Sequence, residues 1–338
     1  MTILRRCRRL APLVVAASLL ACRADAPVPA TEALDTVRVA NATGLSQAPM
    51  SLAAEEGYFR EAGIVVEFVP VRQHEDVLVA LLTDKLDAAV ELFQAGYFGA
   101  MARGGALRFI TSTVTLTPGH CPYVGVVLRP GLAPAEAARG LHKLRVSNDG
   151  MFRYLLSRDL ESQGLHLASF ELIRLQAELA EQALVKGTFD GAILAEPFLS
   201  RAARSGTFWM PSQAATPNVE IGGLLVGNAL LTTRRDVGIR FLAAYRRGVA
   251  TFNEGKTPAN FAAMQRATGL DSTTLAGACW PAFRADGRLN LDGVMAYQSW
   301  LVKQGLADVT ATPAQFWDST LVAATDTILR HTPPRTPQ

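Results

Sequence analysis

The sequence contains none of the short motifs that commonly mark catalytic or metal sites. Its five histidines include no His-x3-His pair, and its four cysteines include no Cys-x2-Cys pair, so common zinc-ligand spacings are absent. It also lacks a Gly-x-Ser-x-Gly elbow and a phosphate-binding glycine loop that ends in Lys and Ser or Thr. These absences argue against a serine hydrolase, a P-loop protein and a zinc enzyme. We therefore predict no catalytic residue, no metal and no cofactor.

Charged residues are also scarce, at 19% of the chain against 49% apolar residues, and they are unevenly placed. Arg5, Arg6, Arg8 and Arg9 all lie in the first nine residues. Without these four positive charges, the formal net charge of +3 becomes about −1. A nearly neutral remainder does not favour nucleic-acid binding, so we predict no nucleic-acid partner. The 338 residues suffice for one or two domains with a sizeable core.

This basic stretch is followed by a short apolar run, a pattern that predicts a signal peptide over residues 1–21. The run from Leu10 to Ala21 would be about 18 Å long as a helix, too short for a bilayer core of roughly 30 Å. It ends in the sequence Leu-Leu-Ala-Cys, which resembles a bacterial lipobox and implies cleavage before Cys22 and lipidation of its thiol. The alternative is an ordinary secretory signal in which Cys22 has no role.

Residues 22–36 contain Ala, Pro, Asp and Thr without an apolar period, so they are predicted to tether a folded part to the membrane anchor. Two cysteines, Cys121 and Cys279, lie beyond this tether. In an exported protein they would meet an oxidising environment, in which cysteines can pair. The sequence leaves open whether they form a disulfide or remain two buried thiols.

From Thr36 onward, short apolar runs alternate with amphipathic stretches, which predicts an α/β fold with parallel-rich sheets flanked by helices. The predicted strands are 37–40, 64–69, 86–90, 107–113, 144–147, 170–174 and 189–194. The predicted helices among them are 47–62, 74–82, 93–103, 151–163, 179–185 and 197–205. A helical C-terminal extension is predicted at 237–253, 259–268, 272–278, 291–304 and 313–329.

Two parts of the chain resemble each other. Residues 37–41 match residues 144–148 at an offset of 107, and the stretch 80–90 matches 183–193 at an offset of 103. Two similar α/β lobes explain both matches, and a chance coincidence of Ala, Leu, Val and Asp is the alternative.

Extended segments at 123–128 and 219–231 are the two places where the chain can cross between such lobes. We therefore predict that residues 37–118 and 226–330 form lobe 1, with the C-terminal helices. Residues 119–225 are predicted to form lobe 2.

Ligands of open parallel sheets bind beyond the carboxyl ends of the strands, so the loops after the predicted strands are the candidate binding loops. They contain small polar residues with free backbone N–H groups, two glutamates and aromatic residues. The candidate ligand-binding residues are Thr43, Gly44, Gln47, Arg72, Glu91, Phe93, Thr113, Asn148, Asp149, Gly150 and Glu196. The alternatives are helix caps, solvated carboxylates and core aromatics.

Other residues near these loops have other expected roles. The candidates for an aromatic wall are Trp209, Phe93, Phe152, Tyr97 and Tyr123, with packing in the core as the alternative. Asp87 and Asp190 are expected to fix the turn into a strand rather than to contact ligand, and His74 is expected to begin a helix.

The stretch from Gln47 to Ile64, with its Ala-Pro-Met and Glu-Glu-Gly-Tyr-Phe sequences, resembles ABC-importer binding proteins of the nitrate, sulfonate, taurine and thiamine-pyrimidine-precursor type. The Leu-Asp-Ala-Ala-Val sequence at 86–90 and the Glu196-Pro197 pair continue the likeness. The resemblance implies a two-lobed periplasmic-binding-protein fold of type II that closes on a ligand in the cleft. It also implies a monomeric, extracytoplasmic protein that delivers a small molecule to an ABC permease.

The sequence departs from anion-binding members of that group. Arg72 and Arg153 are the only cationic candidates in the predicted cleft loops, and Glu91 and Glu196 favour the opposite charge. A neutral or partly cationic heterocycle is thus as compatible with the loops as nitrate or a sulfonate. The resemblance leaves two other roles open, a ligand-sensing lipoprotein that partners a membrane receptor and a pyrimidine-precursor-synthase-like enzyme.

Overall fold

The computed structural model describes residues 33–41, 44–71, 74–140, 142–146 and 150–331, and only the backbone of His74 and Glu75. The predicted signal peptide, Cys22 and most of the predicted tether therefore lie outside the described residues. The tether was predicted to end at Thr36, but the first strand already begins at Asp35.

The strands and helices alternate along the first two thirds of the chain, and helices dominate the last third. The strands are β1 (Asp35–Asn41), β2 (Ile64–Pro70), β3 (Ala88–Leu92), β4 (Leu107–Ser112), β5 (Val114–Leu116), β6 (Val124–Leu128), β7 (Lys143–Val146), β8 (Glu171–Arg174), β9 (Gly191–Ala195), β10 (Thr207–Pro211), β11 (Val219–Glu220), β12 (Gly222–Gly227) and β13 (Ala282–Phe283). The helices are α1 (Ala48–Glu55), α2 (Tyr58–Glu61), α3 (His74–Leu82), α4 (Ala95–Ala102), α5 (Pro134–Ala137), α6 (Gly150–Ser162), α7 (Ala177–Val185), α8 (Phe198–Ala203), α9 (Ser212–Ala215), α10 (Asn228–Leu231), α11 (Arg235–Asn253), α12 (Pro258–Thr268), α13 (Ser272–Gly277), α14 (Leu291–Lys303), α15 (Pro313–Phe316) and α16 (Ser319–His331).

Lobe 1 is built on a five-stranded sheet in the order β2-β1-β3-β12-β4. β1 pairs in parallel with β2 and β3, whereas β12 runs antiparallel between β3 and β4. β3 and β12 are almost continuously apolar and buried, as expected of strands with both faces covered. The carboxyl ends of β1, β2, β3 and β4 consequently open toward one edge of this sheet.

Lobe 2 repeats this layout with the sheet order β10-β6-β9-β7-β8. β7 pairs in parallel with β8 and β9, and β6 runs antiparallel between β9 and β10. The strand that enters from the other lobe, β6 here and β12 in lobe 1, occupies the same place in both sheets. The duplicated α/β layout predicted from the sequence is confirmed.

The register of the repeat differs from the sequence match. Val39 pairs with Ala88 in lobe 1, and Leu144 pairs with Gly191 in lobe 2, so Val39 and Leu144 are equivalent. The sequence match placed Val37 opposite Leu144, two residues away. Because side chains alternate along a strand with a period of two, a shift of two residues preserves the apolar pattern and escapes a sequence comparison.

A small three-stranded sheet, β11-β5-β13, lies where the chain crosses between the lobes. β5 leads from lobe 1 toward β6, and β11 leads back into β12. The lobe boundaries stay a prediction. Since β12 belongs to the lobe 1 sheet along its whole length, the predicted boundary after residue 225 falls inside a strand.

Two predicted helices are interrupted, and three strands, β5, β10 and β13, were not predicted. The helix predicted over 47–62 breaks between α1 and α2 because Gly57 has a φ of 76°. The helix predicted over 313–329 breaks at Trp317, which is extended and forms a bridge to Phe109. β10 was missed because this five-residue edge strand, Thr-Phe-Trp-Met-Pro, shows no alternation of apolar and polar residues and ends in Pro211.

The C-terminal helices pack mainly on lobe 1. Phe241 of α11 stacks on Phe59 of α2, with ring centroids 5.1 Å apart. α14 also contacts lobe 2, where the Tyr154 ring of α6 lies 5.4 Å from the ring of Trp300. Within the described part of the chain, no helix is both long enough and apolar enough to span a bilayer.

Candidate functional site

A cavity of about 250 Å³ lies between the two lobes. Its walls come from the loop after β1, the ends of β3 and β4, the small crossover sheet, and the ends of β7 and β9 with the first turns of their following helices. The lining residues are Gly44, Ser46, Gln47, Val90, Glu91, Leu92, Thr113, Val114, Tyr123, Arg145, Phe152, Ala177, Ala195, Glu196, Phe198 and Ile221. We call this space the inter-lobe cavity.

The structure brings five of the predicted site residues to this cavity: Gly44, Gln47, Glu91, Thr113 and Glu196. Both halves of the repeat contribute, as the strand-end argument requires. That these residues contact a ligand stays a prediction.

On the lobe 1 wall, backbone interactions hold the polar groups in place. The side-chain amide of Gln47 donates a hydrogen bond to the carbonyl of Val90 at 2.9 Å, which joins the loop after β1 to β3. Glu91, the residue after Val90 in β3, is only 5% exposed. The N–H of Thr113 donates to the carbonyl of Gly222. The position of Glu91 is thus fixed by the pairing of β3 with β12.

On the lobe 2 wall, Arg145 lines the cavity although it was not among the predicted site residues. Its side chain comes from the middle of β7 and is buried, and its guanidinium donates to the carbonyls of Leu175 at 2.6 Å and Ile193 at 2.8 Å. The predicted site residues come from loops after strands, whereas Arg145 enters the cavity from inside a strand. An arginine between the apolar residues Leu144 and Val146 was the available indication.

Tyr123, Phe152 and Phe198 form an aromatic part of the lobe 2 wall. Burial raises the pKa of the Tyr123 hydroxyl, and a hydrogen bond with Ser46 opposes that shift. Because Ser46 belongs to lobe 1, this contact joins the two sides of the cavity. The rings give the wall flat apolar faces that suit a planar ligand.

The second glutamate, Glu196, holds the two lobes together. Its carboxylate accepts hydrogen bonds from the Ser200 hydroxyl at 2.7 Å and from the Cys279 N–H at 3.0 Å. Burial raises the pKa of Glu196, and these hydrogen bonds lower it without cancelling the rise. The peptide bond to Pro197 is cis. Glu196 therefore positions α8 and the segment after α13 at the mouth of the cavity.

Among the charged side chains that line the described cavity, two are acidic, Glu91 and Glu196, and one is basic, Arg145. With all three ionised, the formal charge of the lining is −1. Because burial raises the pKa of Glu196, the protonated form of this carboxyl is favoured relative to a solvent-exposed glutamate.

Two predicted site residues lie elsewhere. Phe93 is fully buried in an aromatic cluster, where its ring lies 4.9 Å from that of Phe109. Gly150 begins α6 against α14, and a Cβ at this position would lie 2.8 Å from the Tyr297 hydroxyl. Gly150 thus allows close packing of the two helices. The remaining predicted residues, Thr43, Arg72, Asn148 and Asp149, lie outside the described residues.

A second cavity of about 610 Å³ is also lined by both lobes, by Gln94 to Gly96 of lobe 1, by residues of lobe 2 from β7 onward, and by the end of α14. Since successive strand residues point to opposite faces, Arg145 lines the inter-lobe cavity and Val146 lines this second one. Arg153, predicted as a possible cleft cation, lines the second cavity as well. The inter-lobe cavity consequently does not receive the positive charge of Arg153.

Cys121 and Cys279 form a disulfide, which resolves the choice that the sequence left open. The bond joins the crossover segment before β6 to the segment between α13 and β13. It lies beside the cavity, because Tyr123 follows Cys121 by two residues and Glu196 accepts from the Cys279 N–H.

Comparison with known proteins gives one family. The profile of the family described as NMT1/THI5 like matches residues 45–255, more than half of the chain. No curated protein matches the sequence.

Solved structures show the same fold at low identity. The ligand-binding component of an ABC-type import system from Staphylococcus aureus, solved with zinc bound, is 14% identical, covers 86% of this chain and 98% of its own, and has a TM-score of 0.72. A putative periplasmic sulfonate-binding protein, SsuA, from Methylobacillus flagellatus KT is 17% identical, covers 88% and 96%, and has a TM-score of 0.68. The desulfurization enzyme DSZB is 14% identical, covers 88% and 100%, and has a TM-score of 0.62. The predicted two-lobed periplasmic-binding-protein fold is confirmed.

Proposed function

The chain belongs to the NMT1/THI5-like family, and on this basis we propose that it is an extracytoplasmic solute-binding protein that delivers a small molecule to an ABC importer. Its ligand occupies the inter-lobe cavity. Closure of the lobes about the crossover strands traps the ligand, and a permease receives it.

One observation carries this proposal. The inter-lobe cavity is lined by both lobes and by the small crossover sheet, so a change in lobe spacing changes the cavity directly. Cavities at such an interface commonly bind small molecules with a few fixed polar groups. The DSZB likeness raises an enzymatic alternative, but the described lining contains no Cys, His or Lys to act as nucleophile or base.

The lining supports a neutral or positively charged heterocycle rather than a sulfonate. Its aromatic rings suit a planar molecule, and its formal charge of −1 opposes an anion. Arg145 is the one cationic side chain of the described lining, and it already donates to two backbone carbonyls. In this proposal Glu91 accepts a hydrogen bond from a ring N–H or an amine of the ligand.

The most direct experiment is mass spectrometry of small molecules released when the purified protein is denatured. We expect a stoichiometric heterocycle without a sulfonate group. Thermal unfolding with aminopyrimidines, amines and alkanesulfonates then ranks the classes, because a ligand at 100 times its Kd adds about 2.7 kcal/mol of stability. Stabilisation by the sulfonates alone would overturn the ligand class, and stabilisation by no small molecule would overturn the binding role.

Glu91→Gln tests the charge of the site. The substitution preserves shape but removes the negative charge, so affinity for a cationic ligand is expected to fall at least tenfold, about 1.4 kcal/mol. Calorimetric titration measures it, and Glu171→Gln at the exposed start of β8 is the matched control. Equal affinities of Glu91→Gln and Glu171→Gln for the ligand would show that Glu91 does not contact it.

We also propose that Cys22 carries a lipid anchor after removal of residues 1–21. Cys22→Ala is then expected to move the protein from the membrane fraction to the aqueous fraction of the expressing bacterium. Cys7→Ala, within the predicted signal peptide, is the control and is expected to leave the protein in the membrane fraction. If Cys22→Ala stays there too, the anchor is not at Cys22.

A further inference from the structure

A histidine ring lies against the disulfide beside the inter-lobe cavity. The Nδ1 atom of His120 is 3.5 Å from the Cys121 Sγ and 3.7 Å from the Cys279 Sγ. Within the described ranges this is the one group of three His, Cys, Asp or Glu side chains whose ligand atoms gather, all within 4.8 Å of one another. We infer that, once the disulfide is reduced, these three residues bind a zinc-like divalent cation.

The atomic spacing fits such a cation. Tetrahedral zinc with Zn–S bonds of about 2.3 Å and Zn–N bonds of about 2.0 Å separates a sulfur from a nitrogen ligand by about 3.5 Å. The two Sγ–Nδ1 distances, 3.5 Å and 3.7 Å, are already close to this value. Only the sulfurs must separate, from bonding distance to about 3.8 Å, which rotation about the two Cα–Cβ bonds can provide.

The surroundings hold the ligand backbones while leaving the site open. The Gln213 side chain donates to the His120 carbonyl at 3.0 Å, and the Cys279 N–H donates to Glu196 at 3.0 Å. His120 and Cys121 are exposed, so a metal ion can enter from solvent and keep a water molecule as its fourth ligand. Two thiolates and a neutral imidazole around a divalent cation also give an electrically neutral complex.

The chemistry requires a reductant, which we take to be a dithiol. One of its thiolates attacks a sulfur of the Cys121–Cys279 bond, and its second thiolate releases the resulting mixed disulfide. The two protein sulfurs gain two electrons and the dithiol becomes a cyclic disulfide. Metal binding then displaces the two thiol protons.

Metal binding would preserve the link that reduction breaks. The disulfide spans 158 residues and ties the crossover segment to the segment before β13. A cation held by Cys121 and Cys279 bridges the same two segments, and His120 adds a third bond. This inference does not depend on the proposed transport role, because it concerns only these three side chains.

Cobalt is the probe, since its spectrum reports ligand type and geometry. The protein is purified with its disulfide intact, reduced anaerobically with a phosphine that is then removed, and titrated with Co²⁺. We expect one Co²⁺ per chain, with sulfur-to-cobalt charge-transfer absorption and the intense visible bands of a tetrahedral site. The oxidised protein is expected to bind none.

Two variants make the test specific. His120→Ala can fold with the disulfide intact and is then reduced, and its affinity is expected to fall at least about tenfold. His166→Ala, an exposed histidine elsewhere in lobe 2, is the matched control and is expected to bind like the wild type. Binding of equal strength by His120→Ala, or by the oxidised protein, would overturn the inference.

Thermal unfolding of the same reduced samples provides a second measurement if reduction loosens the fold. Zn²⁺ is expected to raise the melting temperature of the reduced wild type and of His166→Ala. It is expected to raise that of reduced His120→Ala much less. An absence of any Zn²⁺ effect on the reduced wild type would also overturn the inference.

Discussion

Each lobe has an aspartate at the equivalent position before a central strand, Asp87 in lobe 1 and Asp190 in lobe 2, but the surroundings of the two differ. In lobe 1 the N–H of Asp87 donates to the Arg38 carbonyl at 2.9 Å, and the carboxylate accepts from the Arg38 N–H at 2.8 Å. In lobe 2 the N–H of Asp190 donates to the Lys143 carbonyl at 2.8 Å, and its carboxylate accepts from the Lys143 N–H at 2.9 Å. Each pair fixes the start of a central strand, as the sequence analysis expected of these aspartates.

The difference lies in burial. The Asp87 side chain is 2% exposed and also binds the Arg38 guanidinium, whereas the Asp190 side chain is 23% exposed and binds Arg129. Removing one member of an ion pair is costly when the other member keeps its charge but is left buried without a counter-charge. The cost is smaller where water can replace the lost partner. We therefore expect the repeated aspartate contact to contribute more to the free energy of unfolding in lobe 1 than in lobe 2.

Asp87→Ala is the variant for which we expect the largest loss of stability. It removes the buried carboxylate that holds the Arg38 N–H and guanidinium, and Arg38 is partly exposed, so we expect a loss of about 3 kcal/mol. Urea unfolding monitored by circular dichroism measures the loss. A change below that of Asp190→Ala would reverse the ranking of the lobes.

Among the described residues of lobe 2, Asp159 is a buried aspartate with no arginine partner. Burial raises the pKa of Asp159 to about 7, although the Ser212 hydroxyl donates to it at 2.6 Å. The folded state then holds a proton that the unfolded state releases near pH 4, so stability falls as pH rises from about 4 to about 7. Between pH 5 and pH 8 this loss is expected to be roughly 2–3 kcal/mol.

Asp159→Asn isolates this effect, because Asn keeps an acceptor for Ser212 and cannot ionise. Urea unfolding at the two pH values is expected to show a smaller decrease for the variant than for the wild type. Other buried carboxyls, including Glu196 and Glu220, remain in both proteins and cancel in the difference. Parallel pH dependence in the two proteins would contradict the raised pKa.

Asp190→Ala is the matched test in lobe 2, with an expected loss of about 1 kcal/mol because solvent reaches the site. Burial alone would raise the pKa of Asp190, but hydrogen bonds from Lys143 and Arg129 outweigh it and lower the pKa. This contribution is therefore present above the ordinary pKa of aspartate and is lost as pH falls. Urea unfolding of the wild type and of Asp190→Ala at acidic and neutral pH tests both the size and the pH dependence of this loss. A loss of stability that is larger at acidic pH would contradict the lowered pKa.

The smallest expected effect concerns the first helix of each lobe. α6 is continuous over 13 residues, whereas the equivalent helix of lobe 1 breaks at Gly57 with a φ of 76°. An ideal Cβ on Gly57 meets no atom within 4 Å, so Gly57→Ala costs only backbone strain, about 1 kcal/mol. Gly277→Ala, equally uncrowded but without a positive φ, is the control and is expected to change thermal stability little.

Much of the fold was predictable because its signals are local. The helix predicted over 74–82 has those bounds in the structure, and the other predicted strands and helices differ mostly by a few residues at their ends. The break at Gly57 was missed because an apolar pattern continues through it. The edge strand β10 was missed because its five residues, Thr-Phe-Trp-Met-Pro, do not alternate between apolar and polar.

The candidate site was predictable in part, for the same reason. Five residues chosen as strand-end groups line the inter-lobe cavity. Phe93 follows a strand as well, but its ring turns into the core, a choice that depends on packing against Phe109. Arg145 was missed because its position in the cavity wall depends on which face of β7 is turned toward lobe 1.

The sequence by itself determined the duplicated strand and helix order and the edge of each sheet that bears the candidate loops, because periodicity and repetition act over neighbouring residues. Only the tertiary structure decided that Cys121 pairs with Cys279, that His120 lies against both sulfurs, and that Arg145 enters the cavity. Those contacts join residues far apart in the chain, and their existence depends on how the two lobes meet across the crossover strands.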